Sequence, residues 1–245
     1  MNSSRTRQAG ISLQDNQPVY VLHTYPFKET SLVVELFTRD FGRIAAVAKG
    51  ARRPRSAMRG MLQSFQPLIG AWSGKLELKN LHSLEWGSGL LVLQGEALIC
   101  GFYLNELLLR LLPREDAHET LFDYYGQALR TLTLGKDLGT TLRRFELRML
   151  QEMGYAVPLE RDEHESPIEA ERDYCYIAER GACSPSFGQN GLQLSGKTLL
   201  DMVQDNYTDP QTQQQSKQLM RALLAHYLGD KPLYTRQLLI DLQGL

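Results

Sequence analysis

The stretch Gly191-Leu-Gln-Leu-Ser-Gly196-Lys197-Thr198 satisfies the phosphate-loop pattern G-x-x-x-x-G-K-[ST] letter for letter. Read as chemistry, it would cradle nucleotide phosphates on backbone amides, with Lys197 reaching the outer phosphates. Its context points elsewhere. Such a loop takes a buried strand into its first glycine and small residues between the two. Here the polar run PSFGQN precedes Gly191, and Leu192-Gln193-Leu194 alternates as a strand does. The stretch left to Leu245 is short for the parallel sheet and second acidic motif of that fold. The competing reading is a strand followed by a helix with Ser195 as its N-cap. A P-loop nucleotide hydrolase on Gly191–Thr198 is the alternative function, and a protein-only adaptor is the other.

Cys175, Cys183 and His164 are residue types that bind metals, but seven residues separate the two cysteines. Zinc ligands usually pair two to four residues apart, so buried structural cysteines are expected and no metal. The histidines at 23, 82, 118, 164 and 226 are scattered, and no G-x-S-x-G or H-E-x-x-H signature occurs. The expectation is a protein that is not an enzyme and needs no cofactor.

The segment from Lys49 to Gly60 is more informative. It carries Lys49, Arg52, Arg53, Arg55 and Arg59, no acid, and Gly and Pro breaks. Five like charges on one loop repel each other, and an anionic polymer relieves that repulsion. A solvated loop that aids solubility is the plain alternative. Tyr25, Phe27, Phe41 and Phe65 lie near the same strands, and one or two of them should be exposed as stacking faces for bases. Arg43 is a weaker candidate phosphate contact.

These residues need elements to position them. After a polar tail (1–17), five short strands are expected: 18–24, 31–38, 43–48, 65–72 and 75–82. No helical pattern separates them, so they should form a small antiparallel barrel over residues 18–90. From residue 91 the period becomes helical, with helices expected over 97–112, 120–132, 141–155, 196–206 and 212–228. Residues 156–173 hold seven acids and two bases and read as a solvated connector; 156–195 forms an insert in a helical domain of 91–245.

Charge separates along the same boundary. Residues 1–90 carry twelve lysines and arginines against six acids, and the remainder carries fifteen against twenty-two. The polarity suggests two units with different partners. With 42% hydrophobic and 22% charged residues, disordered and fibrous classes are excluded. Three cysteines are too few for a disulfide scaffold, and the start lacks an apolar signal core. The longest apolar stretch, 97–112, is interrupted by Asn105, Glu106 and Arg110. A soluble, cytoplasmic protein without membrane association is expected.

Several of these pieces carry a resemblance. VLHTYPFKETSLVVELFTRDFGRIAAVAKGARRPRS, with Glu29-x-Ser31, Phe37-Thr38…Gly42 and Lys49-Gly50-Ala51-Arg52, resembles the N-terminal segment of the bacterial RecO recombination mediator family. YLNELLLRLL, LRRFELRMLQEMGY (142–155) and YLGDKPLYTRQLL (227–239) continue it in the right order, covering residues 18 to 240. The resemblance implies an α+β chain: an N-terminal OB-fold β-barrel, then an α-helical domain with a small inserted subdomain. It implies binding of single- and double-stranded DNA, annealing of complementary strands and nucleoid association. It also implies help in loading recombinase onto strands coated by single-stranded DNA-binding protein. The implied partners are RecR and the acidic C-terminal tail of that coating protein. Many members carry four cysteines as a zinc module after the Gly-Tyr matching Gly154-Tyr155. With only two cysteines there, this chain should lack it.

Arg143 and Arg144 are expected in the first turn of a helix capped by a threonine of Gly139-Thr140-Thr141. There they oppose the helix dipole and suit an incoming carboxylate. Glu146 offsets Arg143 at i,i+3. By the resemblance, this region takes the acidic tail, with Arg143 as main contact, Arg144 as support, and Leu121, Tyr125 and Leu142 lining an apolar groove.

Overall fold

The computed structural model describes residues 13–155, 157–185, 191–229, 232–235 and 237–238. The chain divides into two units, Met1–Leu91 with Pro113–Phe122, and Val92–Leu112 with Asp123–Leu245.

The first unit is built on β1 (Leu13–Phe27), β2 (Ser31–Thr38), β3 (Gly42–Ala48), β4 (Leu68–Ser73) and β5 (Leu78–Trp86). They close as a barrel in the order β1-β2-β3-β5-β4, the OB-fold arrangement. Alternation sends Val34 and Leu36 of β2 and Ile44, Ala46 and Ala48 of β3 inward. There they meet Val19, Val21, Leu68, Trp72, Leu81 and Leu84 in one core.

The barrel is not purely antiparallel. β3 and β5 run parallel, from Ala45 opposite Leu78 to Ala48 opposite Leu81. Closure explains this: when five strands alternate in direction around a ring, one neighbouring pair must run the same way. Residues 13–17 are also not a tail. Leu13 pairs with Ser73 and Gln17 with Gly70, but their polar, half-solvated positions leave no apolar alternation to read.

β1 has a register break between Val21 and His23. Such a bulge inverts the strand's faces. Val19 and Val21 point into the core before it. After it, Thr24 and Pro26 sit opposite the inward Val34 and Leu32, and His23 and Tyr25 turn out to solvent.

Residues 113–122 complete this unit. Arg114 bridges Glu35 and Glu77, Glu115 pairs with Lys79 at 2.6 Å, and Glu119 pairs with Arg39 at 2.8 Å. The Phe122 ring packs 5.1 Å from Tyr20 and 5.3 Å from Phe37.

The second unit contains α1 (Gly95–Leu111), most of α2 (Glu119–Thr133), α3 (Leu138–Glu152), α4 (Gly196–Val203) and α5 (Pro210–Leu228). A small antiparallel sheet, ordered β7-β6-β8, comprises β6 (Asp173–Ile177), β7 (Gly181–Cys183) and β8 (Leu192–Ser195). α1 is buried nearly all round, with Leu104, Leu107 and Leu108 fully enclosed. α5 starts sharply because Asp209 caps the Gln211 amide at 2.8 Å and Pro210 presets the first turn.

The acidic connector is not simply solvated. Val157, Leu159 and Ile168 are buried, and the carbonyls of Ala170 and Arg172 receive the first amides of α4. Three apolar anchors among many acids leave no periodic signal. Among the described residues, no helix is long and apolar enough to cross a membrane.

Candidate nucleic-acid interface and partner cleft

The 49–60 segment follows β3 directly and folds as turns ending in a 3-10 helix, Ala57–Gly60. Ala51 drops into the barrel core, while Met58 and Met61 pack against it. The Arg52 amide donates to the Thr30 carbonyl at 2.9 Å, and its guanidinium to the Glu29 carbonyl at 3.2 Å. The apolar residues thus fix the segment to the barrel and leave the cations outside. Lys49, Arg52, Arg53, Arg55 and Arg59 are all exposed. Among the described residues none of the five forms an ion pair, so the surface is uncompensated cation. Arg43 differs: its guanidinium is half-buried on the Glu35 carboxylate at 3.2 Å, a barrel-stabilising pair rather than a free phosphate contact.

Of the four aromatics expected nearby, Phe65 is buried, and Phe41 stands edge-on to Trp72 at 5.6 Å. Phe27 is half-buried, and Tyr25 is 46% exposed.

The phosphate-loop pattern has a packing explanation. Leu192–Ser195 is strand β8, lying inside the supposed loop. The amides of Gly196 and Lys197 already donate to the Arg172 and Ala170 carbonyls, at 2.7 and 3.0 Å. These are the amides that would otherwise hold a phosphate. Lys197 pairs with Asp201 at 2.6 Å and Asp209 at 2.9 Å. The glycines serve close approach: a Cβ on Gly196 would lie 2.0 Å from the Glu169 carbonyl oxygen, and one on Gly191 2.1 Å from Cys175 Sγ. Ser195 is the N-cap residue of α4, but its hydroxyl makes no capping bond. ATP hydrolysis by the purified protein is therefore expected to stay at background, with or without Lys197→Ala. A phosphate-release assay showing Lys197-dependent turnover would restore the nucleotide reading.

Cys175 and Cys183 stand directly opposite each other on β6 and β7, and both are fully buried. His164 is exposed, with Nε2 3.9 Å from the Glu163 carboxylate. Among the described residues, no three His, Cys, Asp or Glu side chains are grouped to hold a metal.

On α3 the expected arrangement is corrected. The helix begins at Leu138 with Asp137 as N-cap, so Arg143 and Arg144 fall in the second turn, beyond the amides of the helix start. Arg143 is buried and bound to Glu146, which also accepts the Tyr103 hydroxyl at 2.5 Å. Leu121 and Tyr125 are fully buried, the latter donating to Asn105, so neither lines an open groove. Leu142 is half-buried.

The open cleft lies on the adjacent face of α3 and holds about 750 Å³. Arg144 and Arg148 stand on one side of it; Phe145, Val157, Leu159 and Met202 supply apolar wall. Glu160, Asp162, Glu163 and Glu165 of the acidic connector line it together with Arg161 and Arg180. Arg144 pairs with Asp205 at 2.6 Å, and the Arg148 guanidinium lies 5.2 Å from the Tyr124 ring centroid. Sequence reading missed Arg148, although its i,i+4 spacing from Arg144 puts both on one helix face.

Two family models match the chain: "Recombination protein O N terminal" over residues 13–89 and "Recombination protein O C terminal" over residues 93–237. "DNA repair protein RecO" of Nitrosospira multiformis is 58% identical over 235 residues, covering 95% of this chain and 97% of that protein. The proteins of the same name from Dechloromonas aromatica and Aromatoleum aromaticum are 52% and 51% identical. Each of those two matches covers 94% of this chain and 97% of the relative. With both halves matched in order and over nearly their whole length, the chain belongs to the RecO family of DNA repair proteins.

Proposed function

We propose that this protein is a recombination mediator that binds single- and double-stranded DNA, anneals complementary strands and helps load recombinase onto strands coated by single-stranded DNA-binding protein. The observation that carries the reading is the 49–60 segment, five exposed cations that form no ion pair among the described residues, fixed to the barrel by Ala51 and Met58. Lys49, Arg52, Arg53, Arg55 and Arg59 would neutralise phosphates on two strands at once, lowering the repulsion that keeps complementary bases apart. No covalent step is needed, since annealing only removes an electrostatic barrier. A strand-annealing assay tests it: the protein should accelerate duplex formation at low salt and lose the effect as salt rises. Annealing that is insensitive to salt would overturn the electrostatic mechanism.

The second surface is the cleft beside α3, assigned to the acidic tail of the coating protein, with RecR as a further partner. Here Arg144 takes over the role that sequence reading gave to Arg143, because Arg143 is committed to Glu146. Arg144 and Arg148 would receive the tail's carboxylates while its apolar side chains enter the wall of Phe145, Val157 and Met202. Displacing Asp205 from Arg144 exchanges one exposed carboxylate for another, at little cost. Arg144→Ala/Arg148→Ala is expected to weaken an isolated tail peptide about tenfold or more by titration. Equal affinity for both proteins would remove the cleft from consideration.

A further inference from the structure

Beyond charge, β1 presents a surface suited to the bases themselves. The bulge between Val21 and His23 turns His23 and Tyr25 outward. Phe27 follows on the same face by strand alternation. Tyr25 is 46% exposed, although aromatic side chains of this size usually contribute to a core. The His23 ring meets it edge-on, 4.5 Å between centroids at 63°, and so supports one side of the phenol ring. Just past the end of β1 the Lys28 ammonium lies 5.4 Å from the Phe27 ring centroid.

This aromatic row ends where the cationic segment is fastened. Phe27 is opposite Ser31, the next pair is Pro26 with Leu32, and Leu32 is opposite Ala48, the residue before Lys49. Arg52 is tied to Glu29 and Thr30 in the β1–β2 turn. Phosphate-binding cations and an exposed ring surface therefore share one end of the barrel within a few strand spacings of about 4.8 Å.

We infer that Tyr25, buttressed by His23, is a stacking platform for an unpaired base of a single strand whose phosphates are held by Lys28 and the 49–60 cations. The inference rests on the DNA-binding reading above and adds the base as a recognised group. Geometry favours an unstacked strand. Alternate residues on one strand face are about 6.7 Å apart, twice the 3.4 Å rise per nucleotide in a stacked duplex. Bases can therefore meet Tyr25 and Phe27 only when their own stacking is opened. In a duplex, pairing and stacking keep the base faces away from such a platform, so Tyr25 discriminates single from double strands. The 49–60 cations bind both alike.

The full-length chain and its Tyr25→Ala and Tyr25→Phe variants are titrated with two oligonucleotides of equal length, oligothymidylate and its fully abasic analogue. Both carry the same phosphates, and only one carries bases. Tyr25→Ala should lose about tenfold on oligothymidylate. Tyr25→Phe should restore that affinity, and the abasic strand should bind all three proteins equally. Because Tyr25 is exposed, thermal unfolding of the variants should match wild type. Equal loss on both strands, or no loss on oligothymidylate, would overturn the platform while leaving the phosphate surface intact. A wild-type protein that binds neither strand would overturn the DNA-binding reading and the platform with it.

Discussion

Glu146→Ala should destabilise the helical unit by about 3–5 kcal/mol, the usual cost of leaving one partner of a buried ion pair alone. Glu146 is fully buried, and its carboxylate is held by Arg143 and the Tyr103 hydroxyl. Removing it strands the Arg143 guanidinium, itself 8% exposed, without its counter-charge. Replacing both members with apolar residues of similar size, Arg143→Met/Glu146→Leu, should recover most of the loss, since neither charge then needs solvating. Urea unfolding of the single and double variants measures the difference. A double variant as unstable as Glu146→Ala would show that the pair is not the cause.

The same pair has a pH signature. Burial pushes the Glu146 carboxyl above its ordinary value, against the opposing pull of Arg143 and Tyr103. Its folded pKa then exceeds the unfolded one, so the native state holds the proton more tightly. This contribution to stability is fully present below the unfolded value of about 4.3 and declines as pH rises through the folded value. The stability of wild type relative to the double variant should therefore fall over that window and flatten above it.

Arg52→Ala/Arg53→Ala/Arg55→Ala should lower the slope of log K against log salt by up to about 2 units on single strands and 2.7 on duplex, at 0.7 to 0.9 per phosphate contact. Affinity at low salt should drop by one to two orders of magnitude, about equally for all sequences, because phosphates carry no base information. Folding stability should hardly move, since the three side chains are exposed and the segment is held by Ala51 and Met58. Fluorescence anisotropy across a salt series reads the slope. An unchanged slope would place the DNA path elsewhere.

Much of the barrel was legible because its strands alternate. Ser31–Thr38 was recovered to the residue, and the charge-rich 49–60 segment announced its exposure through residue type alone. What escaped depends on long-range partners. The parallel β3–β5 pair follows from closure of the ring, which no local pattern carries. Arg143 and Arg144 are adjacent and chemically identical, yet one is buried on Glu146 and the other faces the cleft. Adjacent residues point about 100° apart around a helix, so packing buries one and leaves the other at the surface. The start of α3 was misread because Gly139 reads as a break before the helix, whereas it lies in the first turn after Asp137. Leu121 and Tyr125, which the resemblance placed along a groove, are fully buried instead, as their apolar character favours.

The return of residues 113–122 to the barrel has a consequence for biosynthesis. The carboxylate of Glu35 is enclosed in the first unit, and Arg114, which helps neutralise it, is translated only after all of α1. Glu115 and Glu119 reach Lys79 and Arg39 later still, and Phe122 closes over Tyr20 and Phe37 last. At about 5–20 residues per second, a nascent chain that has just finished β5 waits roughly 2–7 s before these partners exist. Released fragments ending near residue 91 should therefore be cut readily by protease within the barrel, and those ending well beyond residue 122 should resist. The order of synthesis thus delays the last ion pairs and ring contacts of the barrel until the first helix of the following unit has been made.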